Sequence, residues 1–496
     1  MRPPTRASVI FGADGSAANT RDESKKRVAD RIRRIDHLRR TATIVFRCMS
    51  ARVEVLPSGE LRVRGRAPLL ERLSWALYDF SNTIFSMNIA TLYFPVWIVA
   101  ERGATATGWS LATSASSAVV LFAAPYFGAR SDVSRRRKPW VVGLTLACVA
   151  VTALLDPLSR ARLPPGTQVV ILLAAFALAD VAYQLALPFY NAMMPELVAP
   201  AEHGRLSGLG TGLGYAGSIA GVLFAAPFVS GRWSVGGASG RQAAFLPTAA
   251  LFLFFSLPLF LFCRDHVPRP RSERPDIRFR EIAAKIAEAF RETRKYPGLR
   301  RFLFASYLYQ DALGTAIAFM AIYAVKVLGL AKGEEVRLFA ALTIPAIVGS
   351  FLAGLASDRI GPRRTLFLVL WGWIAGLAAI ALAPTLSAFW IGGALLGFVF
   401  GGIWSVERPL LLTLVPDAEA GRFFGLLVLS ARAAAIAGPL VWALVADRLF
   451  GSFGVGVGYR AAVASLILFM LGAILLLRGV PDLQGRFAPS AVAEGE

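Results

Sequence analysis

Ionisable and amide side chains occur inside the long apolar stretches of this 496-residue chain. A charged side chain costs about 2.5–3.5 kcal/mol at the centre of a bilayer unless it faces a partner or water. Such groups therefore indicate buried ion pairs, proton-binding carboxylates or a binding site for a polar solute. The candidate substrate and coupling residues are Asp79, Asn82, Asp180, Gln184, Gln310, Asp311, Glu407 and Arg432.

The spacing of these residues predicts how some of them meet. Asp180 and Gln184 are four residues apart, so a helix places them on one face. Asp311 lies roughly ten residues, or ~15 Å, into its apolar stretch, which is near the bilayer midplane. Arg432 is similarly deep, and we expect it to pair with Asp311, Glu407 or an anionic substrate. Glu407 and Arg408 are adjacent near the end of their stretch, which also fits an interface anchor.

Two short patterns each occur twice, about half a chain apart. Leu-Val-x-x-Ala-Glu-x-Gly-Arg covers residues 197–205 and returns at residues 414–422, 217 residues later. Gly-x-x-x-Asp followed by basic residues begins at Gly128 and again at Gly354. Self-similarity at a fixed spacing indicates a duplicated unit, so the two halves are expected to share a fold. The candidate gating residues of the second pattern are Asp132, Arg135, Asp358, Arg359 and Arg363.

The composition predicts a membrane protein, because 55% of the residues are hydrophobic and the mean hydropathy is +0.55. Twelve apolar stretches are long enough to span a bilayer as helices. We predict an all-α membrane protein with twelve transmembrane helices in two six-helix halves. The stretches are 72–98, 108–129, 139–158, 166–192, 205–230, 243–263, 302–327, 336–356, 365–384, 387–413, 422–446 and 457–478.

The basic residues predict the topology of these helices. Of 53 Lys and Arg residues, 16 precede residue 72 and only 10 lie in loops after odd-numbered stretches, whereas most others follow even-numbered stretches. Cytoplasmic loops carry the excess of Lys and Arg, so we expect both termini to be cytoplasmic and the chain to lie in the cell membrane. The net charge of +21 does not indicate a nucleic-acid partner, because the basic residues are divided among alternate loops.

Polar segments separate and flank the two halves, residues 71–263 and 302–480. Residues 1–70 read as a disordered basic cytoplasmic tail, with a start at Met49 as the alternative, and residues 481–496 as a second tail. Residues 264–301 form a charged linker in which Ile282, Ile286 and Phe290 recur every four residues. This spacing predicts an amphipathic helix, either on the anionic membrane surface or solvated without lipid contact.

The basic turn at residues 358–364 and its earlier copy resemble the loop motif of the major facilitator superfamily. Residues 74–82, 191–197 and 204–208 are similar to signatures of its vacuolar effluxer (Atg22-like) branch. The resemblance implies that helices 1, 4, 7 and 10 line a central cavity. It also implies that the Asp and Arg residues of the turns contact helix ends of the opposite half and stabilise the outward-facing state. The first copy departs from the pattern, with Val133 where a basic residue is common.

We interpret the chain as a secondary active transporter of a small polar solute, amino-acid-like favoured, with alternating access and possible coupling to protons. The alternatives are a cation-linked sugar symporter of the same fold and a membrane receptor or scaffold without transport. We expect no enzymatic activity, cofactor or bound metal, since no nucleophile and base pair, phosphate-binding loop or metal-ligand spacing occurs. The expected partners are the solute, protons and membrane lipid, and the expected state is a monomer.

Overall fold

The structure is a computed structural model that describes residues 52–55, 61–64, 67–134, 136–235, 240–266, 288, 290–328, 335–434, 438, 441–442 and 444–482. Among these residues, twelve helices follow the predicted apolar stretches in order. They are α1 (Leu69–Phe85), α2 (Ala106–Ser134), α3 (Lys138–Arg160), α4 (Pro165–Leu197), α5 (His203–Val229), α6 (Phe245–Phe262), α7 (Leu299–Leu328), α8 (Glu335–Ile360), α9 (Pro362–Leu382), α10 (Leu386–Leu414), α11 (Ala420–Ala434) and α12 (Val455–Arg478).

Shorter helical segments extend or connect these helices. Three of them continue α1 without a break: π-helical Ser86–Leu92, α-helical Tyr93–Val96 and π-helical Trp97–Glu101. Another π-helical segment, Leu444–Leu449, precedes α12. The short 3-10 helices are Pro200–Glu202, Gly240–Ala244, Thr293–Lys295, Asp417–Glu419 and Gly451–Phe453.

One antiparallel strand pair precedes the helices. β1 (Arg52–Val55) pairs with β2 (Leu61–Arg64), and Val53 lies opposite Val63. The hairpin differs from the expected disordered tail, and its alternation of apolar with charged residues is the pattern of a strand. The other residues of that tail up to 51, Ile282 and Ile286 of the predicted linker helix, and the tail from 483 lie outside the described residues.

Nine helical stretches of the described chain are long and apolar enough to cross a membrane. They contain α1 to α6, α9, α10 and α12. The other three helices, α7, α8 and α11, coincide with predicted stretches. Large apolar side chains remain exposed on the outside, with Leu111 70%, Ile391 74% and Leu382 76% accessible. Exposed apolar surface of this extent is rare in water-soluble monomers and fits contact with lipid.

The packing of the helices repeats between the two halves. In the first half, α1 packs on α5 and α6, α3 on α4 and α6, and α2 on α4. Adding six to each helix number gives contacts that are also present: α7 on α11 and α12, α9 on α10 and α12, and α8 on α10. This correspondence is the result expected if the repeated sequence patterns reflect two copies of one six-helix unit.

The contacts between the halves obey the same rule. Helix α5 packs on α8 and α10, and α11 correspondingly packs on α2 and α4.

The two ends of the helix bundle are named by the helices that start there. The terminal end contains the starts of the odd-numbered helices and the ends of the even-numbered helices. The opposite end is the far end. At the terminal end, the amide N of Ala67 donates to the carbonyl O of Leu197, 3.0 Å away, which fixes the start of α1 beside the end of α4.

The turn between α8 and α9 explains the glycine and proline of the second basic turn. Gly361 has φ +94°, a region that L-residues with a side chain rarely adopt. Pro362 follows at the start of α9, where its fixed φ suits the first helical turn and its missing N–H removes no helical hydrogen bond. The reversal therefore places the end of α8 at the terminal end, next to the start of α5.

Candidate functional site

The two repeated patterns contact each other across the halves. Gly354 of α8 lies so close to Gly204 of α5 that a Cβ on either glycine would overlap the carbonyl O of the other. Gly208, one turn further along α5, is also in close contact with α8, because its Cβ would lie 2.7 Å from the carbonyl O of Ser350. Only glycine allows helices to approach this closely, as small residues do at membrane helix interfaces.

Asp358 binds the start of α5 with both carboxylate oxygens. Oδ1 accepts a hydrogen bond from the amide N of Gly204 at 2.7 Å, and Oδ2 accepts one from the amide N of Arg205 at 3.0 Å. The Arg205 guanidinium is also 3.1 Å from Oδ2. A carboxylate at a helix N-terminus is stabilised by the unpaired N–H groups and the helix dipole. Asp358 therefore joins the C-terminal half to the N-terminal half, as the resemblance implies.

The first copy of the basic turn meets the second copy of the other pattern. A Cβ on Gly128 of α2 would overlap the carbonyl O of Gly421 of α11, so these helices are also in backbone contact. Asp132 lies in α2, but its side chain is outside the described residues, as is the whole of Arg135. The structure thus describes the contact of Gly128 with Gly421, which corresponds to that of Gly354 with Gly204, but it does not describe the contacts of Asp132.

The arginines of the second turn do not repeat the behaviour of Asp358. Arg363 donates to the carbonyl O atoms of Leu477 and Arg478, at 3.2 and 2.9 Å, so it binds the end of α12 in its own half. Arg359 is exposed. The expectation that the arginines contact the opposite half therefore does not describe Arg363, because the start of α9 packs on α12.

Arg137 is a contact between the halves that the sequence analysis missed. It is only 1% exposed, and its Nη1 forms a 2.7 Å ion pair with Glu196 and also donates to the carbonyl O of Ala192. Its Nη2 donates to the carbonyl O of Asp417 in the other half, 3.1 Å away. The sequence signal for Arg137 is its place in a run of basic residues just before α3, which by itself indicates only the topology.

His266 joins the same end of the bundle. Its Nε2 lies 2.8 Å from Oε1 of Glu71, and its amide N donates to Oε2 of Glu196 at 2.9 Å. Burial by itself lowers the pKa of the imidazole, but the hydrogen bond and the negative charge of Glu71 outweigh it, so the pKa is raised above 6.5. The protonated ring therefore favours this contact between α1, α4 and the segment after α6.

An ion pair between Asp79 and Arg408 lies between the halves. Nη1 of Arg408 on α10 is 2.8 Å from Oδ2 of Asp79 on α1, and Nη2 is 3.3 Å from Oδ1. Both side chains are largely buried, with 13% of Arg408 and 6% of Asp79 exposed. Such two-point pairing is the strong form of an arginine and carboxylate contact. The sequence analysis selected Asp79 but not Arg408, whose adjacency to Glu407 suggested an interface anchor.

Two aromatic rings flank this ion pair. Trp75 and Tyr190 stack with ring centroids 4.5 Å apart, and Nε1 of Trp75 donates to the carbonyl O of Tyr190. The Arg408 guanidinium lies 5.8 Å from the Trp75 ring and 5.6 Å from the Tyr190 ring. Both distances are within the range of cation–π attraction. The rings therefore hold Arg408 in place against α1 and α4.

Helix α5 supplies the third side of this site. A Cβ on Gly210 would lie 2.7 Å from Oδ2 of Asp79, so α5 is packed directly against the carboxylate. Polar atoms of Asn82, one turn after Asp79, and of Thr211 and Tyr215, one turn apart on α5, are buried without a hydrogen-bond partner among the described residues. Tyr215 also lies within electrostatic range of both Asp79 and Arg408. Buried polar groups of this kind are uncommon unless they serve a ligand, an ion or water.

Two further polar clusters lie within the halves. Gln184 Nε2 donates to Oδ2 of Asp180 at 2.7 Å, as the four-residue spacing predicts, and the hydroxyl of Ser116 on α2 donates to the same oxygen. In the other half, Oε1 of Glu407 accepts hydrogen bonds from α7. The donors are Ser306 at 2.7 Å, Tyr309 at 2.6 Å and Gln310 at 3.3 Å.

Consecutive residues of α10 thus face different partners. Glu407 binds α7 in its own half, whereas Arg408 binds α1 in the other half. The helix geometry rotates neighbouring residues by about 100°, which separates the two directions. The pair that looked like an interface anchor in the sequence therefore connects α10 to both halves.

Asp311 occupies a separate position on α7, against Gly438, which follows α11 in the chain. It is 1% exposed, and its Oδ1 accepts a hydrogen bond from the amide N of Gly438 at 2.8 Å. Its Oδ2 and the hydroxyl of Thr315, one turn away, have no hydrogen-bond partner among the described residues. Arg432 lies in α11, but its side chain is outside the described residues. The predicted pairing of Arg432 with Asp311 or Glu407 stays a prediction.

The chain is similar in sequence to a known protein family and to a bacterial transporter. The model of a family described as "Vacuole effluxer Atg22 like" matches residues 102–487. The Uncharacterized MFS-type transporter YxiO of Bacillus subtilis (strain 168) is 27% identical over 427 residues, which cover 82% of this chain and 94% of the relative.

Solved transporters share the fold. The human organic anion transporter MFSD10 (TETRAN) superposes with a TM-score of 0.62 at 15% identity, covering 82% of this chain and 98% of its own. A bacterial homologue of the iron transporter ferroportin in the outward-facing state gives a TM-score of 0.62 at 14% identity, with 82% and 98% covered. At these identities the similarity shows the fold alone.

Proposed function

We propose that this chain, which belongs to the vacuole effluxer Atg22-like family, carries a small polar solute across a membrane by alternating access. An amino-acid-like solute is favoured. As a member of this family, the chain is a transporter of the major facilitator superfamily and not an enzyme. In such a cycle, one half rocks against the other around a central site, so the site opens to each side in turn. The repeated helix packing supplies the two rigid bodies.

The observation that carries the proposal is the buried Asp79–Arg408 ion pair between the halves, together with contacts between the halves at the terminal end. Rocking has to break the pair and the terminal contacts to open that end. A solute that offers charge or hydrogen bonds compensates the separated side chains. Asn82 lies one turn from Asp79 and supplies a buried acceptor oxygen.

The other sequence-selected residues extend the proposed path. Asp180 and Gln184 belong to α4, Gln310 to α7 and Glu407 to α10. The resemblance to the superfamily implies that these helices line the cavity together with α1. Each carboxylate is already hydrogen-bonded within its half. We therefore assign them secondary contacts with the solute or roles in orienting the central residues.

Asp311 is the proposed coupling residue. Its position on α7 against Gly438, with one oxygen free of a described partner, suits a carboxylate that takes up and releases a proton as the segment after α11 moves. A carboxylate whose counter-charge approaches in one state and leaves in the other binds a proton more readily in the second state. Arg432 on α11 is the proposed counter-charge.

The proposed orientation places the terminal end in the cytoplasm, from the excess of basic residues in the loops at that end. The contacts of Asp358, Gly204 and Arg137 close that end, and we therefore propose that the described arrangement is outward-facing. The proposal includes location in the cell membrane, action as a monomer, and contact of the outer apolar surface with lipid.

Counterflow in proteoliposomes tests the solute class. Vesicles containing the purified protein are loaded with a mixture of unlabelled amino acids and then given each labelled amino acid in turn, with a sugar mixture as comparator. We expect exchange of at least one amino acid. Exchange of sugars alone would support the sugar symporter, and exchange of neither mixture would contradict the amino-acid-like solute class.

The coupling role predicts that Asp311→Asn abolishes accumulation driven by a pH gradient while sparing exchange of solute. Asparagine keeps the size and the hydrogen bond from Gly438 but cannot take up a proton. The matched control is Asp156→Asn, which removes another buried carboxylate that pairs with Arg160 near the far end of α3. Accumulation by Asp311→Asn at the wild-type rate would transfer coupling to Asp180 or Asp79, or exclude proton coupling.

A further inference from the structure

Among the described residues, Arg408 is a central charge that pairs across the halves, so its partner can be replaced without breaking the fold of either half. Its guanidinium reaches across the interface to Asp79, whereas every described hydrogen bond of Glu407 lies within the C-terminal half. The arginine has a long, flexible stem. Asp79 is short and is pressed against α5 at Gly210. When the halves separate, Arg408 is therefore the group that remains free to move into the space between them.

The chemistry around Arg408 selects an anion. A guanidinium presents a planar fork of N–H donors that matches a carboxylate at two points. In the described arrangement Asp79 occupies that fork with both oxygens. The rings of Trp75 and Tyr190 keep the guanidinium in position and bring no competing negative charge. Asp79 thus occupies the place of a ligand carboxylate.

Unpartnered polar atoms on α1 and α5, the helices that pack at the pair, indicate further polar contacts for the ligand. Asn82 offers a buried acceptor, and the hydroxyls of Thr211 and Tyr215 can donate or accept. Tyr215 is itself held by aromatic contacts with Phe400 and Trp404 of α10, at centroid distances of 5.7 and 6.2 Å. A small solute with a carboxylate and one further polar group would satisfy both Arg408 and these atoms.

We infer that Arg408 is the substrate-binding charge of this transporter, that its ligand is a small carboxylate-bearing solute, and that Asp79 competes with this ligand for the same guanidinium. The inference rests on the proposed function and names the substrate class of its central site. Binding of the solute releases α1 from α10, so substrate occupancy and separation of the halves are linked. In the empty site, Asp79 holds the halves together.

Carboxylate-dependent stabilisation of the purified protein tests this inference without a transport assay. The probes are acetate, lactate, succinate, benzoate and 3-phenylpropionate as sodium salts, each compared with its amide at equal ionic strength. Phenylalanine and phenethylamine serve as zwitterionic and cationic comparators for 3-phenylpropionate. We expect at least one carboxylate to raise the Tm of the wild type and its amide not to do so.

The variants separate the two partners. Asp79→Asn removes the competitor, so the same carboxylate is expected to bind this variant at least 10-fold more tightly. Arg408→Lys keeps the charge but loses the two-point fork, and it is expected to bind more weakly than the wild type. Because Arg408→Gln leaves Asp79 buried without its partner, the double variant Asp79→Asn/Arg408→Gln replaces both charges with amides and is expected to fold but to bind no carboxylate.

Three results would overturn the inference. They are no stabilisation of Asp79→Asn by any carboxylate, equal stabilisation of the double variant by a carboxylate, and stabilisation by phenethylamine in place of 3-phenylpropionate.

Cross-linking of cysteines across the terminal end distinguishes failure of this inference from failure of the proposed function. If the halves alternate and solute is exchanged but carboxylates do not bind at Arg408, only the substrate class fails. If the halves do not alternate, the proposed function fails.

Discussion

At the scale of single residues, sequence reasoning identified the charges but not all of their partners. Asp79, Asp180 and Glu407 were selected because carboxylates are costly inside apolar helices, and all three are buried and hydrogen-bonded. Arg408 was passed over, since its partner is 329 residues away in the chain and no local spacing indicates such a contact. Arg137 could not be predicted for a different reason: a run of basic residues has the same pattern whether its side chains are solvated or buried.

Asp358→Asn is predicted to weaken closure of the terminal end. Asparagine keeps one acceptor oxygen for the start of α5 but loses the negative charge, which is worth about 0.3–1 kcal/mol at a helix N-terminus. This change shifts a two-state population up to about 5-fold toward opening at that end. The measurement is the accessibility of Ser207→Cys, a buried position on α5, to a small thiol reagent, with Asp482→Asn as control. Asp482 pairs with an exposed arginine, Arg364, in its own half.

Unchanged accessibility of the cysteine at position 207 in Asp358→Asn would show that the carboxylate fixes the turn without biasing closure. Expression and Tm are expected to change little, because the bonds from Asp358 join halves that are each packed independently. A large loss of Tm would assign Asp358 a role in folding instead.

His266 is predicted to make stability depend on pH. Its folded pKa is raised above 6.5 by Glu71, so the stabilisation is fully present below pH 6.5 and is lost as the pH rises through the folded pKa. The Tm difference between wild type and His266→Gln should therefore shrink with rising pH. A second histidine, His203, is the control, since it is buried at the start of α5 and forms no ion pair among the described residues. A constant Tm difference from mildly acid to mildly alkaline pH would contradict this role.

At the scale of elements, the apolar stretches predicted the positions of the helices, and the repeated patterns predicted which helices correspond. The structure adds how they pack: each pattern contacts the other pattern across the halves, through Gly204 with Gly354 and Gly128 with Gly421. The repeat indicated that these glycines were matched in sequence, but not that they were in contact. The hairpin of β1 and β2 was not expected, because strands of four residues give too short a pattern to outweigh the surrounding basic residues.

Gly204→Ala is predicted to prevent close packing of α5 on α8. The added methyl group would overlap the carbonyl O of Gly354, and this backbone atom cannot move without displacing α8. The terminal end should then stay open, and cross-linking between cysteines at 207 and 357 should fall at least several-fold. The matched control is Gly143→Ala in α3, where a Cβ meets nothing within 4 Å and alanine favours the helix by up to about 1 kcal/mol. Equal cross-linking in the two variants would contradict the role of this contact.

At the scale of the whole molecule, the central claim is that two halves related by an internal repeat move as units and open opposite ends in turn. The sequence predicted the repeat, and the helix pairs show it in the packing within and between the halves. The described contacts close the terminal end through residues from both halves. The residues of the central site could be predicted only in part, since α1, α4, α5 and α10 come together from distant parts of the chain.

Paired distance measurements by spin labelling test this claim most directly. One pair, Leu70→Cys with Arg359→Cys, labels exposed positions of the two halves at the terminal end, and a second pair, Trp233→Cys with Leu382→Cys, labels exposed positions at the far end. Each pair is measured in the wild-type background and with Asp358→Asn. We predict that Asp358→Asn lengthens the terminal distance and shortens the far distance in the same population of molecules. Unchanged distances in both pairs, or lengthening of both together, would contradict alternating access by two rigid halves.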